Sequence, residues 1–519
     1  MLGMSPTRYP VSPARRRRVA AALASVAAVA LAGSLAACAP PTSGSAAADT
    51  LTLGMVGNTK DEQQPYSTQN SVSSQAIYHQ LYDGLTRFDA EGAVQYALAE
   101  SMTPNDAHDV WTVHLREGVK LHNGDEFVAD DVIDSLRYML DPENAFAPST
   151  QLSFIDPDGL KRVDDYTVEM TLNEPYGPVP DAFADDRMAM RSVRGASVDE
   201  PVGTGPFMLD AFTAGQQATL TRFGDYWGAQ PKFERLTVQF FQEQPAITNA
   251  LRGGQIDVAY SVPFTDVETL GAEDGITVLA SDSASYLLVE MNTAIEPFND
   301  PRVREAMRLI VDREQIRDNA YGGYATVAND FIGNNTACAP PEVPQRTQDL
   351  ERAKQLLAEA GAQDLSVELV TDAAFPGMME TGQLIAQQAA EAGVTIEVRK
   401  LDVATFLNRW REWPFLIGFT SNPYLVTATN HFLPGGEENA TNFDDAEYNA
   451  IAEKLYASTD PDEQCGYVAE LQAIEHERGG DIVPTYSQVV TAYRDRVVGL
   501  QEDLYGRAAY QFGGVSLAG

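Results

Sequence analysis

The feature that most constrains this chain is its N-terminal leader, a basic block followed by a run of small and apolar residues. Arg15, Arg16, Arg17 and Arg18 supply the positive charge, and residues 19–37 are almost all Ala, Val and Leu. This pattern is typical of a secretory signal peptide, which is removed from the mature protein. A membrane-spanning helix has a similar length, but the small residues before Cys38 favour peptidase cleavage. We therefore expect cleavage of residues 1–37 and folding outside the cytoplasm.

The end of the leader, Leu35-Ala36-Ala37-Cys38, resembles the lipobox of bacterial lipoproteins. The resemblance implies that Cys38 receives a diacylglyceryl group and becomes the new N-terminus. Two acyl chains hold a protein stably on a membrane, whereas one chain is marginal. Residues 38–50, with their Ser, Gly and Pro residues, would then form a flexible tether. A secreted protein without an anchor is the alternative, and the sequence leaves Sec-type and twin-arginine export open.

Composition restricts the partners and the size of the fold. The chain has 74 acidic and 36 basic residues and a formal net charge of −38, a field that repels nucleic acids and acidic membrane surfaces. We therefore expect no nucleic-acid partner and no membrane contact other than the anchor. The roughly 480 residues after cleavage are enough for two or three domains. Cys338 and Cys465 can form a disulfide outside the cytoplasm, but the sequence equally allows two buried free thiols.

Apolar alternation predicts strands, and helical periodicity between capping residues predicts helices. The best-defined helix start is Asn299-Asp300-Pro301, where a polar cap precedes proline at the first helical position. The predicted strands are 51–56, 111–115, 168–172, 236–241, 256–260, 286–291, 367–370 and 394–398. The predicted helices are 130–140, 246–252, one beginning at 301, 347–361, 378–392, 445–456 and 463–477. Their alternation indicates α/β layers, with an α+β segment near residues 111–140.

Three groups of residues, in chain order, carry a resemblance to a known family. The first group consists of residues 97–101 and 111–124, continued by Phe127, 129–132 and Ser135. The second group consists of residues 202–207, 225–227 and 254–257. The third group consists of residues 291–293, 297–307 and 312–313. In this order and spacing, the chain is similar to the solute-binding proteins of peptide/nickel-type ABC importers, the dipeptide- and oligopeptide-binding family 5. Together the three groups span most of the mature chain.

The resemblance implies a type II periplasmic-binding-protein fold, in which two α/β lobes are joined by a hinge and an α+β domain is inserted in the first lobe. The expected first lobe comprises residues 51–88, 205–299 and 485–519, the inserted domain residues 89–204, and the second lobe residues 300–484. A ligand between the lobes would favour the closed form through its contacts there. We interpret Gly203 and Gly205 as a close approach of backbones rather than a dinucleotide loop, because Met208 occupies the place of a third glycine.

The implied function is capture of a peptide-like small ligand and its delivery to the permease and ATPase subunits of an ABC importer, without catalysis. We expect a monomer with no cofactor and no metal. Binding of an oligosaccharide, a metal chelate or haem, or a role as a sensor, are the alternatives within this class. An extracytoplasmic hydrolase is disfavoured, because the six histidines form no zinc-binding helix spacing and no Gly-x-Ser-x-Gly elbow lies beside them.

The candidate ligand contacts lie in three segments, of which the first two follow predicted strands. They are Asn58 and Thr59, then Phe375 and Met378, and finally Phe419, Thr420, Ser421, Asn422 and Tyr424. In peptide-binding members of the family the last of these segments presents an aspartate to the peptide α-amine, because a buried ammonium group needs a counter-charge. Here Ser421 or Asn422 stands in that place, and neither can neutralise a charge. Another acid, such as Asp372, would have to supply it.

Overall fold

The computed structural model describes residues 49–518, except residues 58, 68–70, 91, 147, 193–200, 334–335, 337 and 373–374 and the side chains of residues 403 and 404. The predicted leader, Cys38 and nearly all of the tether therefore lie outside the described residues, as does Asn58. Within the described part of the chain, no helix has the length and apolar character needed to cross a membrane.

The strands of the described residues, in chain order, are β1 (Thr50–Val56), β2 (Asp83–Gly84), β3 (Thr86–Phe88), β4 (Val94–Tyr96), β5 (Ala99–Pro104), β6 (Val110–Leu115), β7 (Ile155–Asp164), β8 (Thr167–Leu172), β9 (Ala189–Met190), β10 (Phe207–Thr213), β11 (Gln217–Arg222), β12 (Arg235–Phe241), β13 (Val258–Ala259), β14 (Ile276–Met291), β15 (Ala325–Val327), β16 (Ser366–Thr371), β17 (Thr395–Lys400), β18 (Phe415–Thr420), β19 (Asp481–Ile482), β20 (Thr485–Arg494), β21 (Val497–Val498) and β22 (Ser516–Leu517).

The helices are α1 (Val72–Leu81), α2 (Ala129–Leu140), α3 (Pro148–Gln151), α4 (Val179–Ala182), α5 (Gln244–Arg252), α6 (Phe264–Gly271), α7 (Pro301–Ile310), α8 (Arg313–Ala320), α9 (Leu350–Ala360), α10 (Met378–Glu391), α11 (Val403–Arg409), α12 (Tyr424–Thr427), α13 (Ala446–Ala457) and α14 (Pro461–Arg478). Turns of 3₁₀-helix occupy Asp186–Met188, Trp410–Glu412 and Ala508–Tyr510, and a π-helical turn, Ala428–Phe432, follows α12.

A mixed sheet of 12 strands organises the described residues, in the order β10-β11-β12-β1-β13-β20-β14-β18-β16-β17, with β15 on β20 and β19 on β14. In one half β1 is parallel to β12 and β13, and in the other half β16 is parallel to β17 and β18. The long strand β14 connects the halves, since Ile276 pairs with Arg494 on β20 and Met291 pairs with Phe415 on β18. The predicted α/β architecture is confirmed.

A separate four-stranded antiparallel sheet, β5-β6-β8-β7, packs against α2 around its own apolar cluster, which includes Trp111, Leu136 and Met170. Other clusters lie around β1 and β12 and around α7, α10 and β18. These three clusters fall mostly within the predicted inserted domain, first lobe and second lobe. The domain boundaries themselves stay a prediction.

Most predicted elements form, and the predicted caps are in place. Asp300 accepts a hydrogen bond from the Arg302 N–H at 2.9 Å, and α7 begins at Pro301. Gly361 ends α9 in the left-handed conformation that favours glycine. The crowding at Gly203 also matches its interpretation, because a Cβ there would clash with the carbonyl oxygen of Leu81.

Two strand predictions were wrong in extent, and strand β18 was missed. The strand predicted at 286–291 begins at Ile276, because backbone pairing with β20 includes the buried polar residues Ser281 and Ser285, on either side of an irregularity in the register. The strand predicted at 256–260 is reduced to Val258–Ala259. Strand β18 was not predicted, because its continuous apolar run, buried on both faces, has no alternation.

Two long-range links stabilise the second half of the chain. Cys338 and Cys465 form a disulfide, which ties the segment after β15 to α14. The fully buried Asp330 carboxylate accepts hydrogen bonds from Arg313 Nη2 at 2.6 Å, and Arg346 Nε lies 3.2 Å from it. Because Cys338 and Cys465 are bonded to each other, the alternative that the sequence left open, two buried free thiols, is excluded.

Candidate functional site

The larger of two adjoining cavities has a volume of about 350 Å³ and lies between two groups of elements. One wall is formed by the β3–β4 hairpin, the end of α3 and α4. The opposite wall is formed by α12, α14 and the disulfide. Most of the lining is apolar or aromatic, including Phe88, Tyr176, Tyr424, Val426 and Tyr505. This volume is at the lower end of the range for small-molecule sites, about 300–1,000 Å³.

Two polar side chains stand out in the wall of the larger cavity. Both amide atoms of Gln151, at the end of α3, are buried and make no hydrogen bond with a described residue. Asp181 on α4 forms no ion pair within the described ranges, and burial raises the pKa of Asp181 to about 6. An unpaired buried polar group costs free energy. The wall of the cavity therefore contains a buried amide and a carboxylate that no described side chain pairs with.

The side chain of Tyr424 is held in the opposite wall by a hydrogen-bond network. Pro423 precedes α12, and the Tyr424 hydroxyl donates to Glu475 Oε1 on α14 at 2.9 Å. Tyr448 donates to the same oxygen at 3.2 Å, and the Ile332 N–H donates to Glu475 Oε2 at 2.9 Å. Burial raises the pKa of Glu475 to about 7. This network gives the ring a fixed position before a ligand arrives.

The smaller cavity, about 40 Å³, shares Phe88, Pro423 and Tyr505 with the larger one. Ser421 and Asn422 line it, together with the charged side chains of Asp185, Asp186, Arg187 and Arg507. The two cavities therefore adjoin beneath the 421–424 segment, one mainly apolar and the other strongly polar.

The charges around the smaller cavity compensate one another. Arg187 binds Asp185 through two hydrogen bonds of 3.0 Å, from Nε and from Nη2. Arg507 Nη1 donates to Asp186 Oδ1 at 2.8 Å, and His79 Nε2 lies 2.7 Å from Asp186 Oδ2. Burial opposes ionisation of Asp186, but His79 and Arg507 outweigh burial and hold its pKa well below the usual range. These acids already have counter-charges, whereas Asp181 has none among the described residues.

The predicted site residues fall into two groups. Ser421 and Asn422 line the smaller cavity and Tyr424 lines the larger one. The others that the structure describes line neither cavity. The rings of Phe375 and Phe419 stack on each other at 3.7 Å and, like the buried Met378, pack against the apolar cluster beside β18. Thr420 is buried, and its hydroxyl accepts from the Asn422 N–H at 3.3 Å.

The loop after β1 contributes nothing to these cavities among its described residues. Thr59 is exposed and lines neither, and Asn58 lies outside the described residues. Asp372, the acid named above as a substitute, is likewise absent from both linings. The cavity residues that the sequence did not suggest are Phe88, Gln151, Tyr176, Asp181 and Tyr505, which belong to no motif.

A buried cluster of Glu290, His431 and Asp481, away from both cavities, has the spacing of metal ligands. His431 Nδ1–H donates to the Glu438 carbonyl oxygen at 3.0 Å, and Nε2 lies 3.0 Å from Asp481 Oδ2. Burial opposes protonation of His431, but the Asp481 carboxylate outweighs it and raises the pKa of His431 to about 10. We therefore interpret the cluster as a buried ion pair.

Comparisons with known proteins agree with this architecture. Residues 93–433, more than half of the chain, match the family described as bacterial extracellular solute-binding proteins, family 5 Middle. The glutathione-binding protein GsiB of Escherichia coli is 29% identical over 357 residues, which cover 67% of this chain and 69% of that protein.

Two solved structures have the same fold. The periplasmic binding protein DppA of Helicobacter pylori, in complex with the peptide STSA, has a TM-score of 0.79 at 21% identity, over 90% of this chain and 98% of that chain. NikZ of Campylobacter jejuni, in complex with Ni(L-His), has a TM-score of 0.80 at 20% identity, over 90% of this chain and 99% of that chain.

The predicted type II periplasmic-binding-protein fold is thus confirmed, and so is the prediction that the chain is a binding protein and not an enzyme. Proteins of this kind work outside the cytoplasm together with ABC importers. The chain belongs to the bacterial extracellular solute-binding proteins of family 5.

Proposed function

We propose that the protein captures a short peptide or a small peptide-like molecule in the larger cavity and delivers it to an ABC importer. The observation that carries this proposal is a largely apolar, aromatic-lined cavity whose wall holds the Asp181 carboxylate and the Gln151 amide, which makes no hydrogen bond with a described residue. A peptide group can donate to and accept from such an amide. The rings of Tyr176 and Tyr424 offer apolar surface to its side chains.

The names of related proteins support a peptide more than a metal chelate. GsiB is described as binding glutathione and DppA was solved with a peptide, whereas NikZ was solved with Ni(L-His). None of the described residues that line the two cavities is a histidine with which this chain could hold nickel directly. The modest cavity volume further favours a short peptide over a long one.

Contacts across the larger cavity support capture by closure. The Gly177 N–H donates to the Tyr456 carbonyl oxygen at 2.6 Å, and Thr150 Oγ1 donates to Glu437 Oε1 at 3.0 Å. The Tyr176 and Tyr456 rings stack at 5.6 Å beside the cavity. These pairs join the predicted inserted domain to the predicted second lobe. We infer that they separate when the hinge opens and re-form when a ligand is bound.

Titration calorimetry of the purified protein with glutathione and a panel of di- to pentapeptides tests the ligand class. We expect heat of binding from short peptides, and loss of that binding in Val94→Trp, which fills the larger cavity. Val163→Trp is the matched control, because Val163 is 61% exposed and lines neither cavity. Binding confined to oligosaccharides, metal chelates or haem, or peptide affinity unchanged in Val94→Trp, would contradict the proposal.

We further propose that the mature protein is a monomer held on the membrane by acylated Cys38, which the lipobox-like sequence supports. Mass spectrometry of the protein purified from membranes should find a diacylglyceryl group on Cys38. Cys38→Ala should move the protein to the soluble fraction. An unchanged membrane fraction in that variant would refute the anchor.

A further inference from the structure

Asp181 differs from the other acids beside the two cavities because no basic residue in the described part of the chain supplies its counter-charge. Asp185 is paired with Arg187, and Asp186 with Arg507. Asp181 lines the larger cavity and is only partly exposed, and no described basic residue forms an ion pair with it. A carboxylate kept out of water without a cation is unfavourable. Its position is explained if a bound ligand supplies the cation.

The rest of the larger cavity also favours a cation. The described residues that line it include no lysine, arginine or histidine, so Asp181 is the one ionisable group there apart from tyrosines and the disulfide-bonded cysteines. The rings of Phe88 and Tyr505 pack at 5.0 Å on the same side of the cavity, and Tyr176 lines it as well. The Tyr505 ring already carries the Arg507 guanidinium at 5.0 Å, and the Tyr176 ring stacks on both Phe154 and Tyr456, so the attraction for a cation in this cavity comes from the Asp181 carboxylate.

We propose that Asp181 binds a primary ammonium group of the ligand, which in a peptide is the free α-amine. The inference rests on the proposed function and specifies its ligand. The ammonium group would donate charge-assisted hydrogen bonds to the Asp181 carboxylate, and the Gln151 amide on the same wall would pair with the neighbouring peptide group. The 419–424 segment on the opposite side has no acid to take this role. Asp181 is therefore a determinant of specificity for amine-bearing ligands.

A binding experiment with matched ligands and variants tests this assignment. The ligands are a short peptide and its N-acetylated form, and the amine probe 2-phenylethylamine with its neutral counterpart 2-phenylethanol. The proteins are the wild type, Asp181→Asn and the control Asp106→Asn, which removes the same charge from an exposed turn outside both cavities. Thermal melting of each variant checks that it is folded.

We expect the wild type and Asp106→Asn to bind the free-amine peptide at least about tenfold more tightly than the acetylated form. In Asp181→Asn that preference should disappear, through weaker binding of the free-amine peptide. Equal affinity of Asp181→Asn and wild type for the free-amine peptide would overturn the role of Asp181 but leave the proposed function intact.

The amine probe separates the remaining outcomes. If the wild type binds 2-phenylethylamine but neither peptide, and Asp181→Asn does not bind it, the proposed function fails while the role of Asp181 stands. If the wild type binds neither the peptides nor the amine, both proposals are overturned.

Discussion

Replacing Asp181 by asparagine should stabilise the ligand-free protein at neutral pH. The substitution preserves the shape of the side chain and removes its charge. In the folded protein burial raises the pKa of Asp181 from 3.8 to about 6, whereas an aspartate in the unfolded chain keeps a pKa of about 3.9. The folded state therefore holds the ionised carboxylate less readily than the unfolded state does.

The sign and size of the effect follow from this difference. Between about pH 4 and pH 6 the folded protein binds more protons at Asp181 than the unfolded chain does. The free energy of unfolding therefore falls as the pH rises through this range, and it stays lowered above about pH 6. A shift of about two pKa units corresponds to at most about 3 kcal/mol. We expect about 1–2 kcal/mol, because the partly exposed carboxylate is screened by solvent.

Urea unfolding followed by tryptophan fluorescence measures this effect at pH 4, pH 5.5 and pH 7.5. Asp181→Asn should exceed the wild type in free energy of unfolding at pH 7.5, and the difference should vanish at pH 4. Asp106→Asn should show no comparable pH-dependent difference, because Asp106 is exposed. If Asp181→Asn were less stable than the wild type at pH 7.5, the carboxylate would have a stabilising partner in the folded protein, and the reasoning would be refuted.

Three further predictions concern stability and closure. Asp330→Asn leaves buried Arg313 without its counter-charge, and we expect the free energy of unfolding in urea to fall by about 3–5 kcal/mol. The control Asp318→Asn removes an acid from an exposed ion pair and should lower the free energy of unfolding by less than about 1 kcal/mol. Equal losses in the two variants would contradict this expectation. Serine at both Cys338 and Cys465 should lower the free energy of unfolding by about 2–5 kcal/mol in urea, and an unchanged value would show that the disulfide contributes nothing. Gly177→Ala places a methyl group against the carbonyl oxygen of Ser458 and should hinder closure. The ligand Kd measured by calorimetry should therefore rise about tenfold, while the free energy of unfolding stays unchanged. An unaltered Kd would mean that this contact is not part of closure.

Local features of the fold could be predicted because they depend on a few neighbouring residues. The cap at Asp300 and Pro301 fixed the start of α7, and Gly361 fixed the end of α9. The first half of β14 could not be predicted, since its polar serines are placed in the sheet by pairing with a strand some 200 residues away. The disulfide joins residues 127 positions apart, and no local pattern encodes such a distance.

The site residues stay a prediction, and those that line the cavities come from the one segment to which the resemblance pointed. That segment brought Ser421, Asn422 and Tyr424 to the cavities, but its first residues pack into the apolar core instead. Asp181 is one of 74 acidic residues, and nothing in the sequence around it distinguishes it from an exposed acid. Its significance follows from its place in the folded structure, where it lines the larger cavity and forms no ion pair with a described basic residue.

A crystal structure of the protein with a tightly bound short peptide would show directly which carboxylate holds the ligand's amine. We predict that the peptide occupies the larger cavity, with its α-amino nitrogen about 3 Å from a carboxylate oxygen of Asp181 and with a peptide group hydrogen-bonded to Gln151. A peptide bound elsewhere, or one whose amine contacts a different acid while Asp181 stays unpaired, would contradict the account.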